Sequence, residues 1–509
     1  AVYRSRLLLD EDQAARGASL ARIYKDLGFQ QLAISEGYKS VNADPANASA
    51  HRFLSDSYAA LPRHEIARVS ELLQAQLLQP VGLNPVQPHL ADPASFILRG
   101  AGPADMGFNE YNSLFDRNRV SLQMSGVVGS HSTIGDEVVV SGLYDRLAVS
   151  MGQFHYETHG FRKNNDQKKD IYNAFAQVSL SHDTSIQVEF RATDTDLGDL
   201  PLRFDPTRFF PKDREMEKSQ SARFGLHHIF APGSDLIVSF IYLKSKATTH
   251  TVIPILDFDF DVKSHDSSFS GEIQHLLRTQ YAEITSGAGY LSTKQRTETT
   301  MENPFPPPAA FTEKAESNIT YKNIYLYADL SYLKNVTATV GASADFFEHG
   351  VMDRKQLNPK LGITWNVLPN TMLRAAVFRT LNRNPLRSQT IEPTQVAGFN
   401  QLYDEAEGVK SWRAGIGLDH KFSSSLSAGL EFSKRDLNVP FLSVDLSSST
   451  IEVREVDWHE SFGRAYLYWT PMKCIGLSAE YLSEYFSRDQ EFGGVEGIHK
   501  LRTNRVPLG

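Results

Sequence analysis

Asn323–Tyr332, read NIYLYADLSY, decides the fold. Ile324, Leu326, Ala328, Leu330 and Tyr332 fall on one face of an extended chain, and Tyr325, Tyr327, Asp329 and Ser331 on the other. Successive side chains of a strand point to opposite faces, so this is a strand with one oily and one polar side. Across a turn at Leu333-Lys334 the alternation resumes, with Val336, Ala338, Val340, Ala342 and Ala344 set against Thr337, Thr339, Gly341, Ser343 and Asp345.

The pattern holds outward from there. Ile186, Val188 and Phe190 oppose Gln187, Glu189 and Arg191. Trp412, Ala414, Ile416 and Leu418 oppose Arg413 and Asp419, and Leu430 and Phe432 oppose Glu431. Short turns at Asp145-Arg146, Pro232-Gly233, Leu368-Pro369, Ser423-Ser424 and Thr470-Pro471 alternate with long polar stretches near 157–168, 197–220, 248–265, 295–317, 381–408 and 439–457. Membrane barrels sort their connections this way, with short periplasmic turns on one rim and long extracellular loops on the other. The expectation is an all-β antiparallel transmembrane barrel over 118–509, with about eighteen strands visible. The final residues, Arg505–Gly509, carry no terminal aromatic, which predicts further strands beyond them.

Composition agrees. Aromatics make up 11% of the 509 residues, with 20 Tyr and 30 Phe, while mean hydropathy is only -0.33. No apolar run reaches the roughly 18 residues of a membrane-spanning helix, and a barrel needs none. A net charge of -8 spread along the chain excludes a basic nucleic-acid face. One cysteine, Cys474, excludes an internal disulfide framework.

The first 80 residues read instead as helices that repeat. Leu20 and Leu54, Tyr24 and Tyr58, Leu27 and Leu61, and Ala33 and Ala67 are each 34 positions apart. A proline follows each unit, at Pro45 and Pro80. This resembles the tetratricopeptide repeat, with the early Trp absent and with Gly37 and Glu71 where a large aromatic is usual. The resemblance implies periplasmic helices over 1–80 that recruit a periplasmic or secreted protein partner. Residues 81–117, rich in Pro and Gly, read as an irregular connector.

A second resemblance lies in the barrel. Asn358-Pro359-Lys360-Leu361-Gly362-Ile363, a turn at Leu368-Pro369-Asn370, and Leu373-Arg374-Ala375-Ala376-Val377-Phe378-Arg379-Thr380 resemble the mid-barrel hairpin of TonB-dependent receptors. That family implies 22 strands in the complete protein and a globular plug ahead of the barrel, for which only 81–117 is available here. Fusions of tetratricopeptide repeats with an outer-membrane barrel, as in exopolysaccharide export porins, are similar in arrangement.

No phosphate-binding, zinc-protease, hydrolase-elbow or dinucleotide motif occurs, so no enzyme and no cofactor is expected. If the oily faces meet lipid, then Gln187, Glu189, Arg191, Tyr325, Tyr327, Asp329, Asp345, Arg374, Arg413, Asp419, Glu431 and Glu480 line a lumen, as selectivity groups or as wall-bracing hydrogen bonds. An arginine replacing Tyr325 is then expected to be far better tolerated than one replacing Leu326. Tyr242, Tyr290, Tyr332, Trp365, Trp412 and Tyr481 suit membrane-boundary girdles. Asp257, Asp259 and Asp261 invite a calcium reading but lack the EF-hand Gly and Glu, since Val262 and Ser268 stand there, so no metal is expected. The functional expectation is an export conduit for a polysaccharide, another polymer or a secreted chain. The alternatives are an uptake receptor of the TonB-dependent kind and an anchor for a surface assembly.

Overall fold

The structure, a computed structural model, describes residues 17, 20–21, 23–59, 61–81, 118–200, 209–253, 258–303, 309–445, 450–472, 475–489 and 499–509. After helical residues at 20–21 and 23–26, the described chain forms α1 (Gln30–Ala43), α2 (Ala48–Tyr58) and α3 (Glu65–Leu78). Asn47 starts α2, its side chain accepting from the Ala50 amide at 3.1 Å. Leu54, Tyr58 and Ala67 pack as one cluster with Leu61 at its margin. Ala33 is fully buried, whereas Leu27 lies in a turn and is 40% exposed, outside the packing the repeat assigns it. Leu20 and Tyr24 are half-buried.

The wall then runs as β1 (Arg119–Gly129), β2 (Thr133–Tyr144), β3 (Leu147–Thr158), β4 (Gln167–Ser179), β5 (Thr184–Leu197), β6 (Arg214–Ala231) and β7 (Ser234–Ile253). It continues as β8 (Phe258–Arg278), β9 (Ala282–Asn303), β10 (Ala309–Leu333), β11 (Val336–His349), β12 (Met352–Leu368) and β13 (Thr371–Leu381). A small hairpin, β14 (Gln395–Val396) and β15 (Phe399–Asn400), stands apart. The wall resumes with β16 (Lys410–Lys421), β17 (Leu426–Asp445), β18 (Thr450–Met472), β19 (Ile475–Arg488) and β20 (Lys500–Arg505). Each wall strand pairs antiparallel with the next, β13 with β16, giving an 18-stranded meander. Among the described residues β1 and β20 do not pair with each other, so the sheet is unclosed.

Eight connections, from β2–β3 to β18–β19, lie on one rim and are short turns. The other rim differs from the expectation. The stretches near 248–265, 295–317 and 439–457 are largely strand, because β7–β10 and β17–β18 continue as paired ladders of 20 to 25 residues. Their Thr-, Lys- and Glu-rich composition reads as loop because both faces are wet, yet each extension has a ladder with at least one neighbouring strand. Asp259 and Asp261 lie on such an extension, near Lys212 (3.8 Å) and His250 (2.9 Å). Asp257 lies outside the described residues.

The two faces of the wall differ as the dyads require. Leu326 is 54% exposed and Tyr325 only 3%. The six candidate girdle aromatics are all exposed. The inner face is buried by the helices, which touch wall strands far apart in sequence: Gln187 of β5 reaches α3, and Glu431 of β17 reaches Gln31 of α1. The sheet therefore curves round the helical unit. This corrects the expectation of helices standing ahead of the barrel. Their apolar sides need cover, three short helices provide little for one another, and the lumen supplies it.

Candidate functional site

Two pieces occupy much of the space inside the curved sheet, the helical unit and the 382–409 connection between β13 and β16. That connection reads as a polar loop, but it carries Ile391, Val396, Ala397 and Phe399, all of them buried. It turns inward. Ile391 joins Leu73 and Leu77 of α3 in one apolar cluster with Ile237 and Leu276 of the wall. Val396, Ala397 and Phe399 pack on Tyr325, Tyr327, Ala376 and Phe378. Two wall glycines make room: a Cβ at Gly362 would stand 2.6 Å from that of Ala397, and one at Gly415 would meet the Phe399 ring. Glycine here serves close approach rather than a turn.

The inward segment is joined to the helices through polar contacts. The Asp404 carboxylate accepts from the Glu65 and Ile66 amides, both at 2.9 Å, capping α3 from outside its own helix. Glu405 pairs with Arg63 at 2.5 Å and with Arg435 of β17 at 2.6 Å. The Thr390 amide donates to Ser70, Thr394 donates to Glu71, and Gln395 donates to Tyr58. Glu71, which breaks the repeat pattern, thus serves the inward segment and also meets His51 at 2.5 Å. Gly37, the other departure, lets the Leu54 backbone approach to 3.3 Å from where a Cβ would stand.

The sequence-derived polar residues gather round these contacts. Arg374, 1% exposed, donates to Asp419 and Glu431, both at 3.1 Å, and to the Gly398 carbonyl at 3.2 Å. Arg413 donates to the Asn400 carbonyl at 2.7 Å, to Tyr403 and to Ser433. Tyr327 donates to Glu392 at 2.9 Å, and Tyr325 accepts from Gln274 at 3.3 Å. Asp345 binds Tyr321, Ser343 and Asn358 within the wall. Gln187 donates to the Gln76 carbonyl of α3 at 3.0 Å. Glu189 pairs with Arg223, Asp329 with Thr339 and Glu480 with Tyr468; Arg191 is buried beside Glu189 on the same strand face. These groups are not a ring round open water. Gln187, Tyr327, Arg374, Arg413 and Glu431 hold the filling in place, while Glu189, Asp329, Asp345 and Glu480 brace the wall itself.

Charge is buried with partners. Arg383 donates to Thr390 at 2.7 Å, lies 3.4 Å from Glu392 and stands over the Tyr321 ring at 4.4 Å. Burial pushes the Glu392 carboxyl up, against the pull of Arg383, and Arg383 is held above its ordinary range by its acidic surroundings despite burial. Burial would lower His51, but Glu71 outweighs it and raises its pKa. His64, in the turn between α2 and α3, is pushed down to about 4 by burial, with Arg413, Arg464 and Arg63 adding repulsion.

The two flanks of the helical unit are unlike. On the α3 flank, Gln187 and Gln177 bond the last turns of α3 and Gln79, and Leu77 presses against Gly225. On the other flank a cavity of about 950 Å³ separates α1 and α2 from β16–β20. Its walls mix Arg413, Arg435 and Arg464 with Tyr403, Trp458 and Phe462.

The family model for the TonB dependent receptor-like, beta-barrel matches residues 145–446, more than half of the chain. The chain belongs to that family. TonB-dependent receptor-like barrels are outer-membrane proteins. Solved structures share the fold at low identity. One is the copper transporter OprC, with TM-score 0.56, 10% identity, and 74% of this chain and 65% of that one covered. Another is the siderophore receptor PiuA from Acinetobacter baumannii, with TM-score 0.56, 11% identity and coverage of 76% and 66%. A third is the ferripyoverdine receptor of Pseudomonas aeruginosa bound to ferripyoverdine, with TM-score 0.54, 12% identity and coverage of 76% and 58%. The chain thus spans two thirds or less of the length of these structures. No curated protein matches the sequence.

The motif hairpin is part of the site. Asn358, Lys360 and Arg374 of β12 and β13 are among the most buried polar residues of the wall, and Arg374 reaches the inward segment directly. The inward fold of 382–409 departs from the polar loop that the sequence suggests; its signals are the apolar residues Ile391, Val396 and Phe399 and the glycines Gly362 and Gly415 on the facing strands.

Proposed function

We propose that this protein is a gated uptake receptor of the outer membrane, of the TonB-dependent kind, whose lumen is closed by a helical unit of tetratricopeptide type and by the inward 382–409 segment. The observation that carries this reading is the filled lumen within a receptor-like barrel. An export conduit needs a free passage, and here the groups expected to line one are engaged with the helices, the inward segment or one another. In this reading the short-turn rim faces the periplasm, where the Asp44–Arg278 pair and Gln79 mark the ends of the helices. A periplasmic protein engages the helical unit from that side, and the long rim receives a nutrient or metal complex.

A second reading, a structural anchor, is favoured by the continuous apolar and polar joining of α3 to the wall. Two measurements test these readings. The full chain in a planar bilayer is expected to be silent; a steady large conductance would return the open-conduit reading. Cells displaying it are expected to retain at least one of a panel of metal chelates, and retention of none favours the anchor.

A further inference from the structure

We infer that solute passes through this protein along the β16–β20 wall, with α3 staying in place, and that the solute has little net charge and carries an aromatic or apolar part. The inference rests on the receptor reading and adds the route and the class of solute. The asymmetry of the filling gives the route. The α3 flank is tighter: Gln187 donates to the Gln76 carbonyl, Gln177 to that of Gln79, and Leu73 and Leu77 share a core with Ile237 and Leu276, so that its space of about 400 Å³ lies only past the last turn of α3, at Leu78 and Gln79. The opposite flank holds about 950 Å³, the upper end of what small-molecule sites enclose.

The lining gives the class. Five arginines (Arg63, Arg413, Arg435, Arg464 and Arg505) face six carboxylates (Asp404, Glu405, Glu431, Glu460, Glu480 and Glu484), a difference of a single charge. Most are paired at close range: Arg435 lies 2.6 Å from Glu405 and 2.8 Å from Glu460, Arg63 lies 2.8 Å from Glu460, and Arg505 lies 2.9 Å from Glu484. Paired charges leave a weak field over the space between them, so neither anions nor cations are concentrated there. Arg413 differs in bonding only neutral oxygens, the Asn400 carbonyl, Tyr403 and Ser433, and it stacks against Phe399 and Tyr403 at 5.5 and 5.4 Å. Guanidinium planes and aromatic faces together accept a flat ring on one side and hydrogen-bond acceptors on the other.

The test compares two serines that are each 3% exposed, Ser433 on the cavity flank and Ser239 of β7 on the α3 flank. In the full chain carrying Cys474→Ser, Ser433→Cys and Ser239→Cys are made singly and treated with methanethiosulfonates bearing either a sulfonate or a trimethylammonium group. The expected result is reaction at Ser433→Cys more than about fivefold faster than at Ser239→Cys, since the α3 flank reacts only by local opening. The two reagents should modify Ser433→Cys at rates within about fivefold of each other, as a weak field requires. A smaller difference between the sites, in either direction, overturns the route while a silent bilayer leaves the receptor reading standing. A larger preference for one reagent overturns the class of solute. A steady large conductance of the unmodified chain removes the receptor reading and this inference with it.

Discussion

Leu326 and Tyr325 are neighbours on one strand, and they live in different solvents. Leu326 and the exposed residues of its row share a requirement only to be apolar, and any oily side chain satisfies hydrocarbon. Tyr325 and the buried row must satisfy particular partners: Tyr325 meets Gln274, Tyr327 meets Glu392, and Arg374 meets two carboxylates and a carbonyl. The outer face tolerates exchange within a class, while the inner face is specific. Neither is the wet, forgiving pore wall that alternation alone suggests.

That contrast can be broken, starting with its most buried point. Arg374→Met is expected to cost about 3–5 kcal/mol, because it strands Asp419 and Glu431 without their cation. Denaturant unfolding of the refolded barrel reads this, and a loss below about 1 kcal/mol would mean that the inner row is solvated. On the outer face, Leu326→Arg is expected to cost about 2–4 kcal/mol near the membrane midplane. Tyr325→Arg, by contrast with the expectation for an open lumen, is also damaging, because it overfills a packed site beside Val396 and Phe399. Wild-type stability of Tyr325→Arg would restore the open lumen. Removing the cap by Asp404→Ala costs about 1 kcal/mol and should accelerate amide exchange in the first turn of α3 while leaving the wall unchanged.

The smallest effect is a pH response of the filling alone. His64 has a folded pKa of about 4, below the ordinary histidine value of 6.5, so the folded state binds fewer protons than the unfolded one. The stability it contributes is complete above about 6.5 and is lost as pH falls from there toward 4. His51 acts in the opposite sense: its pKa is raised, so its contribution is present below 6.5 and fades as pH rises through the folded value. Proteolysis of the helical unit is therefore expected to be slowest near neutrality and to accelerate at pH 5. His64→Phe should remove the acid limb, and a persisting acid limb would assign it to other groups.

Legibility in the sequence follows the same divide. Period-two alternation is imposed by lipid on one face, so the strand count and the short rim could be read directly from residues such as Ile324–Tyr332. The helices could be read from their 34-residue spacing, but their location could not, because a helix side that packs on a partner helix and one that packs on a barrel wall need the same Leu, Ala and Tyr. The 382–409 segment was hidden for a related reason. Its polar residues, Thr390, Glu392, Thr394, Gln395 and Asp404, look like solvated loop, yet each one has a protein partner instead of water. Long paired extensions such as β9 and β10 were hidden because strand identity there depends on backbone pairing more than on side-chain pattern.

The height of β10 has its own consequence. Its 25 residues, at about 3.3 Å each and tilted by about 45°, climb to nearly 60 Å, against an apolar band of about 25 Å. β1 to β5, with 11 to 14 residues, barely clear that band. The molecule thus presents a lopsided profile to its surroundings, a tall parapet on one arc and a low sill on another. A bulky visitor reaching this rim collides with the parapet first.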